Sequence, residues 1–452
     1  MKSVRQLKIG LLFAGDVVTL YASLLMTLGL RYGANLFGND ASDNFWPFTV
    51  IFVLWLLIFY IAGLYDLRRL RNDIDFLKTL GLCLVINAVI AVLFFYFIPT
   101  FGIAPKTNLF ILFVIFTIIL MLWRRAFNHI TQGGEAPNRV ILVGESDTAG
   151  DITHAIEKNP QFGYAIVQRI PERSATNEPR LLQVAVKNLH ANIVAVPRYL
   201  KREGKLLPVL YALFGGGVAV IDLATFYEHV LQRVPLGDLE ETWFLENIEG
   251  AGRYYDSLKR TGEFLFALLI GIVLLPVEIL IAILVKLTSR GPVLIKQGRT
   301  GKNGSEFTLF KFRSMVALAP DGQAETNGAQ WSSGNNDRRI TPFGRFIRAS
   351  HLDELPQLWN IIRNDISFVG PRPERPEFVA KLKEQIPYYE IRLLIKPGVT
   401  GWAQINYRAD RDLDDVREKL QYDIYYLKNR SLILDLAVIL KTAKSLFVNP
   451  EK

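Results

Sequence analysis

Two adjacent carboxylates, Asp353 and Glu354, lie in a stretch between Arg345 and Glu377 that also carries several arginines and prolines. This mixture suits phosphoryl chemistry, because one carboxylate can attack phosphorus while the other binds a cation. Pro356 is suited to the first turn of a helix, so we predict a helix over Leu355 to Ile362 with both acids at its N-terminus. The free N–H groups at that end would receive a phosphate.

The cation that this arrangement favours is Mg²⁺, which keeps several waters and binds through one or two carboxylates together with substrate phosphates. A solvated helix start is the alternative interpretation, since acidic pairs also occur at Glu240–Glu241 and at Asp414–Asp415. The dipeptide therefore does not establish a site without the sequence on either side of it.

Three longer motifs follow one another around the acids: HLDELPQLWN, FVGPRPERPEF, and KPGVTGWAQIN at Lys396 to Asn406. Together they resemble the bacterial polyprenyl-phosphate sugar-1-phosphate transferases, the monotopic phosphoglycosyl transferases that start surface glycan assembly. The resemblance covers roughly Arg253 to the C-terminus. It implies a Mg²⁺-dependent enzyme that moves a sugar 1-phosphate from a UDP-sugar to polyprenyl phosphate, undecaprenyl phosphate in bacteria, and releases UMP.

The resemblance also implies roles for individual residues. Asp353 would be the nucleophile that carries the phosphosugar covalently, and Glu354 would bind Mg²⁺ beside it, so both acids are predicted metal ligands. Lys311 and Arg313, in the motif KFRSM, and Arg372, in the motif GPRP, would bind phosphate oxygens. A guanidinium held in one direction between two prolines suits bidentate binding of phosphate, although a proline-rich turn is more often only a turn.

The third motif opens with a Pro-Gly turn and supplies a predicted substrate-binding residue, Gln404. Trp402, Gln404 and Asn406 could present stacking and hydrogen bonds to uracil or to the sugar. Packing in the core is the alternative interpretation for Trp402.

A β-hairpin is predicted for PVLIKQGRTGKNGSEFTLFKFRSM, which alternates apolar and polar residues around Gly301 to Gly304. Lys296, Arg299, Lys311 and Arg313 project from it. We interpret Lys296 as a solvated lysine of an edge hairpin. The polar, glycine-rich region from Val316 to Asp337 follows, and we predict a loop that closes over substrate.

The composition indicates a membrane protein. Of the 452 residues 50% are hydrophobic, and the mean hydropathy of +0.21 is too high for an ordinary soluble enzyme. A net charge of +9 fits anionic lipid headgroups or phosphorylated substrates. Nucleic acid would fit the same charge, so the position of the charges has to decide, and we predict no nucleic-acid partner. The single cysteine, Cys83, excludes disulfides and zinc clusters within the chain.

Four apolar stretches, each close to the roughly 20 residues that cross a bilayer, predict a four-helix transmembrane bundle. They are Leu7–Leu30, Phe45–Leu64, Ile74–Ile98 and Asn108–Trp123. The positive-inside rule places both ends of this bundle in the cytoplasm, because basic residues precede the first stretch, separate the second from the third and follow the fourth. We interpret Asp16 as a polar contact between helices, with an ion or lipid path as the alternative.

Short apolar runs alternate with helical patterns from Arg139 onward, which predicts a Rossmann-like α/β domain with a parallel sheet. The loop VILVGESDTAG has Ser146 and Ala149 where a dinucleotide-binding loop has glycines. We therefore predict an inert or regulatory domain, with cofactor binding as the alternative. Leu223 to Gly252 reads as a linker.

A fifth apolar run, Phe264 to Val285, differs from the first four because Pro276 and Glu278 interrupt it and basic residues flank both ends. A helix that crossed the membrane would contradict that charge pattern, so we predict a re-entrant helix over about 256–287, which the family is known to use. A fifth span kinked by proline is the alternative. Two further helices are predicted at the C-terminus, over Asp412 to Lys428 and after a capping Ser431.

The fold predicted is a membrane protein of three domains: the four-helix transmembrane bundle (1–136), the Rossmann-like α/β cytoplasmic domain (137–250) and an α+β monotopic phosphoglycosyl transferase domain with the re-entrant helix (251–452). We expect the bacterial inner membrane, a catalytic domain that faces the cytoplasm, and possible homodimers. Rival hypotheses are an inactive membrane scaffold for glycan assembly and a nucleotide-sugar oxidoreductase or epimerase that uses the Rossmann-like domain. The sequence does not identify the sugar.

Overall fold

The computed structural model describes residues 2–33, 39–65, 74–97, 106–133, 137–202, 204–239, 241–248, 253–316, 339–407 and 412–448. The chain packs into two compact units, 1–231 and 232–452, and the predicted division into three domains stays a prediction. The predicted substrate loop lies outside the described residues except for Val316, as do Arg68, Arg69 and Arg71 of the charge pattern.

The first unit begins with four long helices: α1 (Lys2–Tyr32), α2 (Asn39–Ile61), α3 (Ile74–Phe97) and α4 (Lys106–Gly133). Leu7–Arg31, Phe76–Tyr96 and Asn108–Phe127 are long and apolar enough to cross a membrane, whereas the apolar part of α2, Phe45–Ile61, is shorter. Three of the four predicted spans are thus matched by helices of spanning length, and the protein is a membrane protein.

Asp16 forms a polar contact between α1 and α4, as predicted. It is fully buried, and its Oδ2 accepts a hydrogen bond from Arg124 Nη2 at 2.5 Å. Arg124 also donates to the carbonyl of Leu64 at 2.9 Å. Two charges so far from water are stable only because each neutralises the other.

The rest of the first unit is built on four parallel strands: β1 (Asn138–Val143), β2 (Tyr164–Ile170), β3 (Ile193–Val196) and β4 (Ala219–Asp222), in the order β2-β1-β3-β4. Five helices accompany them: α5 (Asp147–Lys158), α6 (Glu172–Asn177), α7 (Pro179–Asn188), α8 (Leu207–Gly215) and α9 (Leu223–Leu231). Residues on one face of the sheet pack with α7 and α8, and residues on the other face pack with α5 and α9. Both faces are covered, which explains why β1 and β3 read as uninterrupted apolar runs.

The predicted linker is wrong in its first part. Leu223, Phe226 and Val230 are spaced for one helical face, and in α9 all three are buried against the sheet. In the second unit, α10 (Glu241–Asn247) likewise buries Trp243 and Phe244. The acids of α10, Glu241 and Glu246, are exposed, but Glu228 of α9 is buried with the apolar residues around it.

The fifth apolar run forms α11 (Arg253–Thr288), one helix of 36 residues that continues through Pro276. At 1.5 Å per residue it is about 54 Å long. Ala267 packs against Ile361 and Leu309, and Ile281 and Val285 pack in a second cluster with Phe312 and Ile347. Most of its other apolar side chains are exposed, which in an apolar helix of this length indicates contact with lipid.

The predicted hairpin is confirmed: β5 (Leu294–Thr300) pairs antiparallel with β6 (Glu306–Phe312). After it come α12 (Pro342–Ala349), α13 (Gln357–Ile362), β7 (Ser367–Val369), α14 (Pro376–Gln385), β8 (Gly398–Thr400) and α15 (Trp402–Asn406). The two predicted C-terminal helices are α16 (Leu413–Asn429) and α17 (Leu432–Val448). Ser431 caps the second, because its Oγ accepts a hydrogen bond from the Leu434 N–H at 3.2 Å.

Candidate active site

The two carboxylates lie on a single 3₁₀ turn, Leu352–Glu354, between α12 and α13. His351 precedes the turn in the left-handed conformation with φ of 54°, which is unusual for a residue with a side chain. The helix that follows begins at Gln357 with Pro356 as its N-cap, two residues later than predicted. Asp353 and Glu354 are therefore held by the sharp turn itself, immediately before α13.

Asp353 is a buried acid without a neutralising contact. Its side chain is 9% exposed, and within the described ranges no hydrogen bond or ion pair reaches its carboxylate. Burial raises the pKa of Asp353, and the negative charge of Glu354 adds to that rise, while the charge of Lys311 works against it. A largely buried carboxylate with a raised pKa is typical of a group kept for chemistry.

Glu354 is in the opposite electrostatic state although it is the next residue. Its Oε1 accepts a hydrogen bond from Lys311 Nζ at 2.7 Å. Burial works to raise the pKa of Glu354, but the charges of Lys311 and Arg372 outweigh it and lower this pKa to about 2. Glu354 therefore stays ionised under all physiological conditions.

The register of the hairpin decides which cations reach the turn. Lys311 lies opposite Ile295, and Arg299 lies opposite Phe307, so Lys311 and Arg299 are on the same face of the hairpin. Lys296 lies opposite Phe310 on the other face and is exposed. The alternation with period two already places Arg299 on the face of Lys311, although the sequence analysis assigns it no role in phosphate binding.

Arg299 and Lys311 line a cleft beside Glu354, which we call the cationic cleft. Its polar lining is Arg299, Lys311, Glu354, Gln357 and Arg372. Three permanent cations around one ionised acid leave an excess of positive charge, which suits the oxygens of a diphosphate.

The motifs GPRP and KPGVTGW form one backbone clasp that positions Arg372. Gly370 N donates to Thr400 O at 2.9 Å, and Gly398 N donates to Pro371 O at 2.8 Å. A Cβ on Gly398 would lie 2.1 Å from Gly370 N, so no side chain fits there. The prolines and glycines of the two motifs are thus required for the close approach of the two strands, β7 and β8.

A buried ion pair supports this clasp from behind. Arg392 Nη2 donates to the Arg372 carbonyl at 3.0 Å and lies 2.9 Å from Asp423 Oδ2. Arg392 Nη1 also donates to Tyr389 Oη at 2.7 Å. Both charged side chains are at most 8% exposed. Neither Arg392 nor Asp423 belongs to a motif that we recognised, and only the tertiary packing of α16 brings them to Arg372.

Arg313 is not brought to the carboxylates, contrary to its predicted role. Its side chain is 1% exposed, and Nη2 donates to Ser289 O at 2.7 Å and to Ser289 Oγ at 2.8 Å. The carbonyls at the end of α11 need donors, and this guanidinium supplies them. Arg313 thus fastens the end of the apolar helix to the hairpin.

The residues of the third motif divide between core and cavity. Trp402 is 4% exposed, and its Nε1 donates to the carbonyl of Gln232 at 3.0 Å, so it belongs to the core. Asn406 Nδ2 donates to Trp402 O at 2.8 Å. Gln404 is half-buried and lines a second cavity, which has Arg372 in its wall.

Asp353 and Glu354 are also the residues that could hold Mg²⁺. Among the described residues no group of three or more His, Cys, Asp or Glu side chains could hold a metal ion. Two carboxylates without a third protein ligand fit Mg²⁺, which completes its shell with phosphate oxygens and water, better than they fit Zn²⁺.

Residues 254–449 match the family model described as bacterial sugar transferase. The chain is 39% identical over 192 residues to the UDP-N-acetylgalactosamine-undecaprenyl-phosphate N-acetylgalactosaminephosphotransferase of Aeromonas hydrophila, a match that covers 42% of this chain and 44% of that relative. It is 31% identical over 339 residues to the UDP-glucose:undecaprenyl-phosphate glucose-1-phosphate transferase of Xanthomonas campestris pv. campestris, which covers 71% of this chain and 69% of the relative.

The undecaprenyl-phosphate glucose phosphotransferase of Komagataeibacter xylinus is 39% identical over 331 residues, 68% of this chain and 58% of the relative. The Xanthomonas and Komagataeibacter matches are too long for the transferase region alone to account for them, so they include part of the first unit. With the family model and the clasped motifs, they show that the chain belongs to the bacterial sugar transferase family.

Proposed function

We propose that this protein transfers a sugar 1-phosphate from a UDP-sugar to undecaprenyl phosphate and releases UMP, as the first membrane step of a surface glycan pathway. The observation that carries the proposal is the contrast between the two neighbouring acids. Asp353 is buried and has no ion pair with any residue that the structure describes, whereas Glu354 is ionised and accepts a hydrogen bond from Lys311. The names of the similar enzymes from Aeromonas and Xanthomonas suggest the classes of donor and acceptor.

In the first step an Asp353 carboxylate oxygen attacks the phosphorus that bears the sugar. A bond forms between this oxygen and phosphorus, the bond from phosphorus to the bridging oxygen breaks, and UMP leaves with the electron pair. Arg299, Lys311 and Arg372 bind the diphosphate oxygens and stabilise the charge that develops on them. The product is an aspartyl phosphosugar.

In the second step an oxygen of undecaprenyl phosphate attacks the same phosphorus, and the Asp353 carboxylate is the leaving group. The enzyme returns to its starting state, and a lipid diphosphate sugar is formed. Two steps at one carboxylate allow a water-soluble donor and a lipid acceptor to use the same face of the site in turn.

Mg²⁺ is the cofactor we propose, with Glu354 and Asp353 as its ligands. When bound, it would neutralise diphosphate charge and make UMP a better leaving group. Glu354 is suited to this role because its pKa of about 2 keeps it ionised.

We propose further that α11 enters and leaves the membrane by the cytoplasmic face. Near its start, Lys259 Nζ donates to Val369 O at 2.9 Å, and near its end Ser289 accepts from Arg313. Val369 and Arg313 belong to one folded body, and a helix that crossed the bilayer would have its two ends on opposite sides of it. This common attachment supports a re-entrant helix, and the basic residues at both ends, Lys259 and Arg290 among them, support the cytoplasmic side.

Cysteine labelling in spheroplasts tests this topology. After replacement of the native Cys83, single cysteines at Tyr254, which is 92% exposed, and at the exposed Arg290 should both resist an impermeant maleimide and both react after permeabilisation. Labelling of only one of them in sealed spheroplasts would overturn the re-entrant arrangement.

For the four-stranded unit we propose a Rossmann-like domain without catalytic activity. Its parallel order and its two helical layers support the fold, and Ser146, the N-cap of α5, stands where the dinucleotide pattern has its second glycine, which argues against a dinucleotide.

The function itself is tested with purified protein in detergent, Mg²⁺, undecaprenyl phosphate and a panel of radiolabelled UDP-sugars. We expect one or a few donors to give a labelled lipid product and an equal amount of UMP. A protein that releases no UMP with any donor would be the scaffold of the rival hypothesis. Donor-dependent reduction of a nicotinamide cofactor would instead support the oxidoreductase.

A further inference from the structure

Asn360 is the last residue of the HLDELPQLWN motif, and neither the carboxylate turn nor the cationic cleft contains it. Its side chain is fully buried in α13. A buried amide destabilises a protein unless its donors and its acceptor are all satisfied. The partners that satisfy this one connect α13 to the neighbouring hairpin.

The amide of Asn360 binds the open edge of β6, whose other edge pairs with β5 in a two-stranded sheet. Its Nδ2 donates to Thr308 O at 2.7 Å, and its Oδ1 accepts from Phe310 N at 3.1 Å. These two backbone groups lie on either side of one residue, so the amide takes the place that the peptide group of a third strand would have.

The chemistry of the partners requires an asparagine at this position. Nδ2 uses its second proton to donate to Asp365 Oδ2 at 3.0 Å. The Phe310 N–H needs an acceptor, whereas the Thr308 carbonyl and the Asp365 carboxylate need donors, so only one orientation of the amide satisfies all three. An aspartate of nearly the same size would place a carboxylate against two acceptors.

The two bonds to β6 fix where the hairpin lies along α13. Packing of Leu309 with Ile361 also holds these elements together, but apolar contact is non-directional and defines no register. A shift of the strand by one residue, about 3.4 Å, would break both bonds. The helix α13 is held separately, because Arg260 of α11 donates to Ile361 O at 2.7 Å and to Ile362 O at 2.8 Å.

Lys311 follows Phe310 directly, and Glu354 lies on the turn before α13. The place of β6 along α13 therefore sets the distance of 2.7 Å between Lys311 Nζ and Glu354 Oε1. We propose that Asn360 is a positioning residue, which holds Lys311 against Glu354 by fixing β6 on α13. This inference rests on the proposed function, because the contact that Asn360 positions belongs to the proposed site.

A double-mutant cycle of Asn360→Leu and Lys311→Met tests the proposal in the full-length protein in detergent. Leucine has nearly the size of asparagine but forms none of the three bonds. In single-turnover assays with radiolabelled UDP-sugar, Asn360→Leu should slow formation of the aspartyl phosphosugar roughly 10- to 100-fold, because small misplacements in a site have effects of this size. In the Lys311→Met background it should slow the reaction less than about threefold, since the side chain that it positions is already gone.

A residue that only stabilises the fold would show no such coupling. An effect of Asn360→Leu that is equal in both backgrounds, or a folded Asn360→Leu protein with the wild-type rate, would overturn the proposal. The control is Asn429→Leu, whose amide donates to Tyr425 O at 3.0 Å within α16, and which should keep the wild-type rate.

A second pair of variants tests the same bonds without an apolar replacement. Asn360→Asp places a carboxylate against Thr308 O and Asp365, so it should be slow. Adding Asp365→Asn restores the net charge and lets the new amide donate to the new carboxylate, so the rate should rise roughly tenfold above that of Asn360→Asp alone. Absence of this rise, in variants shown by thermal unfolding to be folded, would overturn the proposal.

Failure of the proposed function is recognised separately. If wild type forms no aspartyl phosphosugar, that function is refuted, and the first cycle is measured on the affinity for pyrophosphate by calorimetry. Coupling in that affinity would keep Asn360 as a positioning residue of a phosphate site. Phosphosugar formation by wild type with independent effects of the two substitutions would refute the positioning role alone. A wild type that neither reacts nor binds pyrophosphate would overturn both.

Discussion

Lys311 Nζ lies 2.7 Å from Glu354 Oε1, and the neighbouring carboxylate of Asp353 forms no ion pair within the described part of the chain. Burial raises the pKa of Asp353, whereas the charges of Lys311 and Arg372 outweigh burial at Glu354 and keep it ionised. In the mechanism that we propose, this difference separates the nucleophile from the ligand of the cation.

Lys311→Met should slow formation of the phosphosugar adduct by on the order of 100-fold, because a cation that stabilises transition-state charge is removed. The matched control is Lys296→Met, an exposed lysine on the opposite face of the same hairpin, which should keep nearly the wild-type rate. Single-turnover assays with radiolabelled donor measure both. Similar rates in the two variants would show that Lys311 does not act at the site.

As the pH is lowered, the rate of adduct formation should begin to fall at a higher pH than it would if Asp353 had the ordinary aspartate pKa of about 3.9. Attack needs ionised Asp353, and because burial raises its pKa, the ionised fraction falls as the pH drops through that raised value. Lys311 lowers the pKa of Asp353, so Lys311→Met should move the acid limb to still higher pH. Rates of adduct formation are measured by rapid quench from about pH 4 to about pH 8, a range that covers raised pKa values of carboxyl groups. If the acid limb of the pH–rate profile moves to lower pH in Lys311→Met, Asp353 is not the group that must be ionised.

Gly398→Ala should abolish activity and lower the thermal midpoint, because its Cβ would lie 2.1 Å from the backbone nitrogen of Gly370 and force the clasp open. Gly298→Ala is the control, since a Cβ on Gly298 meets no atom within 4 Å. Thermal unfolding and turnover should both stay near wild type in the control. Retained activity in Gly398→Ala would mean that the clasp does not position Arg372.

Asp423→Asn should destabilise the protein by about 3–5 kcal/mol, because it leaves Arg392 charged and buried without its partner. The double variant Arg392→Met, Asp423→Leu removes both charges and should recover much of this stability. It should not recover the affinity for donor, since the Arg372 carbonyl has still lost the hydrogen bond from Arg392. Denaturant unfolding and KM for the UDP-sugar separate the two effects. Full recovery of KM in the double variant would make the ion pair purely structural.

The parts of the fold that could be predicted from the sequence are those with local periodic signals. The hairpin, the parallel strands and the C-terminal helices follow from alternation and helical spacing, and they occur where expected. The start of α13 is predicted to within two residues because Pro356 marks it. The difference of two residues arises from the 3₁₀ turn that follows His351.

What could not be predicted depends on contacts between distant segments. Arg313 looked like a phosphate ligand because it shares a motif with Lys311, yet the open carbonyls of α11 bind it. Arg392 and Asp423 meet only through the packing of α16, and nothing in the local sequence links them to Arg372. The alternation of the hairpin predicts that Arg299 shares a face with Lys311, but Arg299 belongs to none of the motifs that carry the family resemblance.

Intact-protein mass spectrometry after mixing with UDP-sugar and Mg²⁺, without the lipid acceptor, tests the central claim most directly. Wild type should gain the mass of one sugar phosphate. Glu354→Gln should gain the same mass more slowly than wild type, and its rate should increase when the Mg²⁺ concentration is raised. Asp353→Asn keeps the shape of the side chain but not the nucleophile, so it should gain no mass and should show no turnover. If Asp353→Asn still acquires a sugar phosphate, the nucleophile lies elsewhere and the mechanism proposed for this site is wrong.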